Sequence, residues 1–337
     1  MYFALHVTLC FVLPFLLHLT LASPAVSDVY FKPRPLVLWH GMGDSHSSAG
    51  MLEFVSMIKG VHPGIFVHSI YIEEDLSADQ RAGFYGNVNE QVEKVAEQLN
   101  HIKELEGGFD AFGFSQAGQF LRAYVERYNT PPVHNLITFG SQHMGVSDIP
   151  PCRPGDFLCE VARRAVKGGV YSSWAQNNLV QAQYYRDPAA MDTYLESNHF
   201  LTSINNEIAD TRNKTYAHNL ATLETLVLVL FKRDKTVVPK ESAWFGSEVA
   251  DEEDIRPNFS NGYGDTESRQ IRLGATPSPS TTIIPMRQQP LYTEDWIGLR
   301  ELDKKGAVVL ETCEGEHMQL EDCWERLVKK FAGGIPA

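Results

Sequence analysis

Positive charge is what this 337-residue chain has least of: 29 Lys and Arg stand against 42 Asp and Glu, for a formal net charge of −13. A surface of that sign repels phosphate backbones and anionic bilayers, so nucleic acid is excluded as an expected partner. Cysteine is scarce, five in all, and no CxxC or HxxxH spacing occurs, so no metal site is expected. No Gly-Lys-Ser/Thr follows a glycine turn, which removes a phosphate-cradling loop, and no cofactor is expected. Internal repeats are absent. Past residue 22 no run is long and apolar enough to span a bilayer, so stable membrane insertion is not expected. What remains is an ordinary globular balance, 43% hydrophobic and 21% charged, which excludes collagen-like and fully disordered classes. The length suits one large α/β domain with an insertion, or two smaller domains.

The one long apolar run is at the start. From Tyr2 to Leu21 there is no Asp, Glu, Lys or Arg, and Thr20-Leu21-Ala22 supplies small residues before the helix-breaking Ser23-Pro24. This pattern predicts a signal peptide over residues 1–23 and a secretory-pathway protein, lysosomal, vacuolar or secreted. A transmembrane anchor is the alternative; Pro14, His6 and His18 and the lack of a flanking Lys/Arg cluster argue against it. Cys10 leaves with the signal, and four cysteines remain. Cys152 and Cys159 bracket a short Pro/Gly loop that a disulfide would close in an oxidising lumen, and Cys313 and Cys323 flank His317 as a second candidate pair. The alternative is four buried thiols. Asn213-Lys214-Thr215 and Asn258-Phe259-Ser260 are glycosylation sequons.

Residues 24–337 read as one α/β domain. Short continuous apolar runs (Leu36–Trp39, Ile65–Tyr71, Phe109–Phe114, Leu136–Phe139, Leu226–Phe231, Ala307–Leu310) have the character of buried parallel strands. Between them lie helical segments: Met51–Ile58, then Val88, Val92, Val95, Leu99 and Ile102 at spacings of four and three, then Gln116 onward, with a closing helix over Leu320–Phe331. Strands alternating with helices predict a mostly parallel sheet covered by helices on both faces. Two stretches break the alternation. Residues 145–216 are loop-rich and helical and read as an inserted cap; residues 248–289 are rich in Pro, Gly, Ser, Thr, Asp and Glu and read as a mobile surface loop.

Gly113-Phe114-Ser115-Gln116-Ala117-Gly118 sits where an apolar strand passes into a helix, the setting of a nucleophile elbow. The fifth position is Ala117, not glycine, which departs from G-x-S-x-G by one methyl. A serine nucleophile needs a base, and the base needs a partner that fixes its tautomer. In this architecture the order is Ser, acid, His, each after a strand. Asp234 follows the Leu226–Phe231 run by three residues, and His317 alone of the 12 histidines lies just past the last strand. Glu314 and Glu316 are alternative acids, too close to His317 in sequence to reach across its ring comfortably. Backbone N–H groups of Gln116, directly after the serine, and of Met42, in the glycine turn His40-Gly41-Met42-Gly43, are candidate oxyanion-hole donors.

In order along the chain, His40-Gly41-Met42-Gly43-Asp44-Ser45, Gly113-Phe114-Ser115-Gln116, Gln181-Ala182-Gln183-Tyr184-Tyr185-Arg186-Asp187-Pro188, Tyr292-Thr293-Glu294-Asp295 and Glu314-Gly315-Glu316-His317-Met318-Gln319-Leu320 recur. Together they resemble the lysosomal palmitoyl-protein thioesterase family, from about Pro35 to Phe331 apart from the 248–289 stretch. The resemblance implies an α/β-hydrolase with an inserted helical cap that removes long-chain acyl groups from cysteine. It implies Ser115 as nucleophile, His317 as base, Asp234 as its orienter, and Met42 and Gln116 as the oxyanion hole. It also implies a Cys152–Cys159 disulfide, a glycosylated Asn213, and S-palmitoylated proteins or acyl thioesters as substrates. Ala117 replaces the family's usual Gly, and Cys313 and Cys323 are additional. A long acyl chain needs an apolar groove, worth about 0.8 kcal/mol per buried methylene. Leu179, Val180 and Leu201 either line it or form the cap's own core. Competing expectations are a lipase or esterase on glycerolipids, and a non-catalytic lipid-binding protein of the same fold.

Overall fold

The computed structural model describes residues 32–148, 169–250, 282–321 and 323–334. The expected signal peptide, Cys152, Cys159, Asn258 and most of the 248–289 stretch lie outside the described residues. The central sheet has six parallel strands in the order β2-β1-β3-β4-β5-β8: β1 Leu36–Trp39, β2 Val67–Ser69, β3 Phe109–Phe114, β4 Val133–Phe139, β5 Thr225–Phe231 and β8 Val308–Cys313. A separate antiparallel pair joins β6 Ser247–Val249 to β7 Thr282–Ile284.

Strand alternation sorts the core into two faces. Leu36, Leu38, Phe112, Phe114, Val227 and Val229 pack with Met51, Phe54 and Ile58 of helix α1 (Ala49–Val61) and with Leu327, Val328 and Phe331 of the closing helix (Trp324–Phe331). Val37, Trp39, Leu136, Leu226 and Leu228 point the other way. There they meet Val88, Val92, Val95 and Leu99 of helix α3 (Val88–Asn100) and Phe120, Leu121 and Tyr124 of helix α4 (Gln116–Arg127). The predicted spacing in α3 is the buried stripe observed.

Helices α1 and α3 start on side-chain caps, whereas α4 and the closing helix have none. Ser48 accepts from Met51 N before α1, and Asn87 from Asn89 N before α3. Helix α2 (Leu76–Ala82), which apolar spacing does not announce, starts on Asp75, whose side chain accepts from Ala78 N. Several boundaries differ from the sequence expectation: β2 covers only Val67–Ser69 of the Ile65–Tyr71 run, and β4 starts at Val133 rather than Leu136. Strand β8 continues to Cys313, and the closing helix starts at Trp324, where Cys323 N and Trp324 N both donate to Leu320 O.

The insertion between β4 and β5 is helical where described, with short segments at Ser173–Asn178, Val180–Tyr184, Met191–Ser197, Leu201–Ile204 and Lys214–Leu220. Its buried residues Val180, Tyr184, Tyr194, Phe200 and Leu201 belong to the same cluster as the α3/α4 face of the sheet. Phe200 packs edge-on against Phe120, with centroids 5.6 Å apart, and Arg122 of α4 donates to Ile204 O and Asn205 Oδ1. The insertion thus extends the main core rather than building one of its own.

Candidate active site

Four loops at the C-terminal ends of the strands converge on Ser115. Its backbone has φ 53° and ψ −127°, a left-handed conformation that a non-glycine residue adopts only under constraint. Ser115 N donates to Phe139 O, tying the turn to β4. The tight approaches that shape the elbow fall on Gly113 and Gly118: a Cβ on Gly113 would collide with the Gly118 backbone, and one on Gly118 with Ser141 and Thr138. Ala117 is fully buried in the core on the α4 side. The methyl that breaks the G-x-S-x-G pattern therefore occupies packing space, and the need for a bare backbone is met one residue later.

Asp234 and His317 meet this serine. His317 Nε2 lies 3.0 Å from Ser115 Oγ, and His317 Nδ1 lies 2.7 Å from Asp234 Oδ2. The other carboxylate oxygen accepts from Thr236 N at 2.8 Å and Val237 N at 3.1 Å, so the acid is aimed by its own turn. The imidazole passes beside Gly140, where a Cβ would press on Phe231 and on His317 Cε1 at 3.1 Å. Glu314 pairs instead with Lys232, at 2.5 Å, and Arg233 N donates to Gly315 O, which joins the acid and base loops side by side. A disulfide between Cys313 and Cys323 closes the segment carrying His317, so this pair is bridged.

Met42 and Gln116 flank the serine from the other side. Gln116 is the first residue of α4, whose opening N–H groups have no carbonyl within the helix and carry its positive dipole end. Gly41 brings the Met42 loop against the elbow: a Cβ there would sit 3.2 Å from Ser115 Cβ. Sequence reasoning missed what holds this loop. Asp79 of α2, fully buried, accepts from Ile72 N and His46 N, and its Oδ2 lies 3.0 Å from both His40 Nε2 and His46 Nδ1. Burial would raise this carboxyl, but His40 and His46 outweigh it and hold it well below the usual carboxylate range. A lone Asp in a seven-residue helix offers no sequence signal for that role.

A cavity of about 690 Å³ opens beside Ser115 and His317. Met42, Met51, Phe54, Met57, Met318 and Trp324 give it an apolar lining, from the loop after β1, α1, the loop after β8 and the closing helix. Leu179, Val180 and Leu201 are not part of it; they are 5%, 0% and 0% exposed and pack in the core. Neither expectation holds as stated: these residues do not line the groove, and the core they fill is the main one shared with the sheet and α4, not one belonging to the cap alone. Asn213 is exposed at the cap of Lys214–Leu220, where its Oδ1 accepts from Thr215 N. No group of three or more His, Cys, Asp or Glu that would hold a metal occurs among the described residues, and no described helix is long and apolar enough to cross a membrane.

The family described as Palmitoyl protein thioesterase matches residues 35–317. "Palmitoyl-protein thioesterase 1" of Caenorhabditis elegans is 36% identical over 308 residues, covering 91% of this chain and 94% of that one. "Palmitoyl-protein thioesterase 3" of Dictyostelium discoideum is 31% identical over 292 residues, 86% of this chain and 87% of the other. The "Lysosomal thioesterase PPT2 homolog" of Drosophila melanogaster is 27% identical over 301 residues, covering 87% of each.

Proposed function

Because the chain belongs to the palmitoyl protein thioesterase family, we propose that it hydrolyses long-chain acyl thioesters of cysteine through a covalent acyl-serine, in a lysosomal setting. The observation that carries this reading is the unbroken contact from Asp234 through His317 to Ser115 inside the region that the family matches. Ser115 Oγ attacks the thioester carbonyl carbon as His317 Nε2 takes its proton, and Asp234 stabilises the imidazolium that forms. Charge developing on the carbonyl oxygen is met by the N–H groups of Met42 and Gln116. The C–S bond then breaks. A cysteine thiolate, with a reference pKa of about 8.5, is a better leaving group than an alkoxide, and His317 returns the proton to sulfur. Water, deprotonated by His317, attacks the acyl-serine and releases the fatty acid and Ser115. The cavity beside Ser115 supports the reading, since a substrate carrying hydrocarbon needs apolar surface next to the nucleophile.

The expected substrates are S-palmitoylated proteins or peptides. Processing of residues 1–23 as a signal, glycosylation at Asn213 and Asn258, and a Cys152–Cys159 bridge complete the proposal for a secretory protein, with residues 24–337 as the mature domain. The test compares kcat/KM for a palmitoyl thioester and the matched oxoester in the wild type and in Ser115→Ala. The proposal expects a preference for the thioester and loss of turnover on the order of 10⁶-fold in the variant. A preference for glycerolipid oxoesters would make the chain a lipase. Undiminished turnover in Ser115→Ala would remove the serine from the mechanism.

A further inference from the structure

The Gln181–Pro188 motif contributes nothing to the Asp234–His317–Ser115 line, yet two of its side chains reach the opposite side of the nucleophile. Gln181, on the Val180–Tyr184 turn of the insertion, donates from Nε2 to Gly83 O at 3.0 Å and to Met42 Sδ at 3.1 Å. Gln116 Nε2 donates to the same Gly83 carbonyl, also at 3.0 Å. Tyr184, buried, donates its hydroxyl to Gln116 Oε1 at 3.0 Å, which fixes the orientation of that amide. Gly83 is wedged in place: a Cβ there would lie 3.2 Å from Gly43 N and 3.5 Å from Gln116 Nε2. One carbonyl, using both lone pairs, therefore joins the residue whose N–H opens α4 to a side chain that grips the residue in the facing loop.

We infer that Gln181 is a positioning residue for the oxyanion hole: through the Gly83 carbonyl and the Met42 sulfur it sets the spacing between the Met42 and Gln116 N–H groups. It does not touch the reacting atoms. The physical requirement is strict, because donors stabilise the developing oxyanion only when preorganised to within about 0.5 Å. Two backbone amides from separate loops, with 73 residues between Met42 and Gln116, share no local geometry that would fix their separation. The inference rests on the serine-hydrolase reading above, and it gives a role to Gln181 and Tyr184, whose contacts with Met42, Gly83 and Gln116 do not include Ser115.

Gln181→Glu keeps the shape and removes the amide donors at neutral pH; Gln181→Ala removes both; Tyr184→Phe removes only a hydroxyl. In variants whose Tm stays at the wild-type value, kcat should fall roughly 10-fold for Gln181→Glu and Gln181→Ala, and less for Tyr184→Phe, with KM unchanged within about twofold. Affinity for a palmitoyl trifluoromethyl ketone, which places an oxyanion in the hole, should weaken by the same factor as kcat/KM. Affinity for an uncleavable palmitoyl thioether, which has no carbonyl, should not move. Gln181→Glu should recover activity relative to wild type as pH falls into the carboxyl range, where the protonated acid regains a donor. If Gln181→Glu matches the wild type at pH 7 in kcat and ketone affinity, or if Gln181→Ala raises only KM, the inference is wrong. Should Gln181→Ala and Gln181→Glu fail to fold, the near-isosteric Gln181→Met, which keeps the bulk and lacks the amide donors, takes their place, and an unchanged ketone affinity there overturns it. A wild-type protein that does not bind the ketone at all would fail the underlying serine-hydrolase reading instead.

Discussion

The two sides of Ser115 are built on different principles. On the His317 side, three side chains come from three loops after strands. Each loop has a fixture close in sequence: Asp234 its own turn, His317 the disulfide between Cys313 and Cys323 on either side of it, Ser115 the elbow. On the Met42 side the expected donors are backbone amides. Their aim depends on remote side chains: Asp79 on α2 for the loop after β1, Gln181 and Tyr184 from the insertion. Local turns do much of the aiming for a side chain that carries its own chemistry, with Arg233 N to Gly315 O and Ser115 N to Phe139 O joining the loops. An amide in a glycine turn has to be aimed by the rest of the protein.

That contrast can be broken most sharply at Asp234. Asp234→Asn leaves every loop in place but offers His317 the wrong hydrogen-bonding partner, so kcat for palmitoyl thioester should fall on the order of 10⁴-fold. Thermal stability and thioether affinity should stay near wild type; a loss below tenfold would mean that the acid does not orient the base. A smaller effect is expected from opening the ring under His317. Replacing Cys313 and Cys323 together with serine should lower unfolding free energy by about 3 kcal/mol in denaturant titrations, by the chain-entropy estimate for a loop of this length. It should also slow fluorophosphonate labelling of Ser115, which tests whether the ring holds the base in register.

The smallest effect belongs to the Gln116 side, through the far end of α4. Glu126 is buried against Arg122 at 2.9 Å; burial pushes its carboxyl up to about 7, with Arg122 and Arg127 opposing. Between its ordinary value and that figure the folded chain holds a proton that the unfolded chain has released. Stability from this group is therefore complete at acid pH and lost as pH rises towards 7. Tm should fall from pH 5 to pH 7.5, and Glu126→Gln should flatten the decline. An identical slope in both proteins would assign it elsewhere.

Legibility followed the same division. Apolar runs marked the four inner strands β1, β3, β4 and β5 most plainly, because a strand buried on both faces has few polar positions to blur it. The edge strands β2 and β8 are only partly buried and carry His68, Ser69, Glu311 and Thr312. Ser115, Asp234 and His317 were legible because each sits within a few residues of such a run. Gly118 was harder: the elbow pattern asks for glycine at 117, and only the contact with Ser141 shows where bare backbone is needed. Asp79 and the Gln181–Gly83–Gln116 contacts join segments far apart in the chain, and no periodicity records them. Leu179, Val180 and Leu201 failed for a related reason. An apolar residue that fills a core and one that lines a groove look alike in sequence, and only burial separates them.

The backbone of Ser115 has one more consequence. Its φ of 53° with ψ −127° suits glycine far better than any residue with a side chain. The protein thus keeps a serine at this position at a standing cost of about 1–3 kcal/mol, which a glycine would relieve. Breeding such an enzyme for heat resistance alone would reward the loss of its chemistry, so screens for sturdier variants need turnover in the selection from the first round.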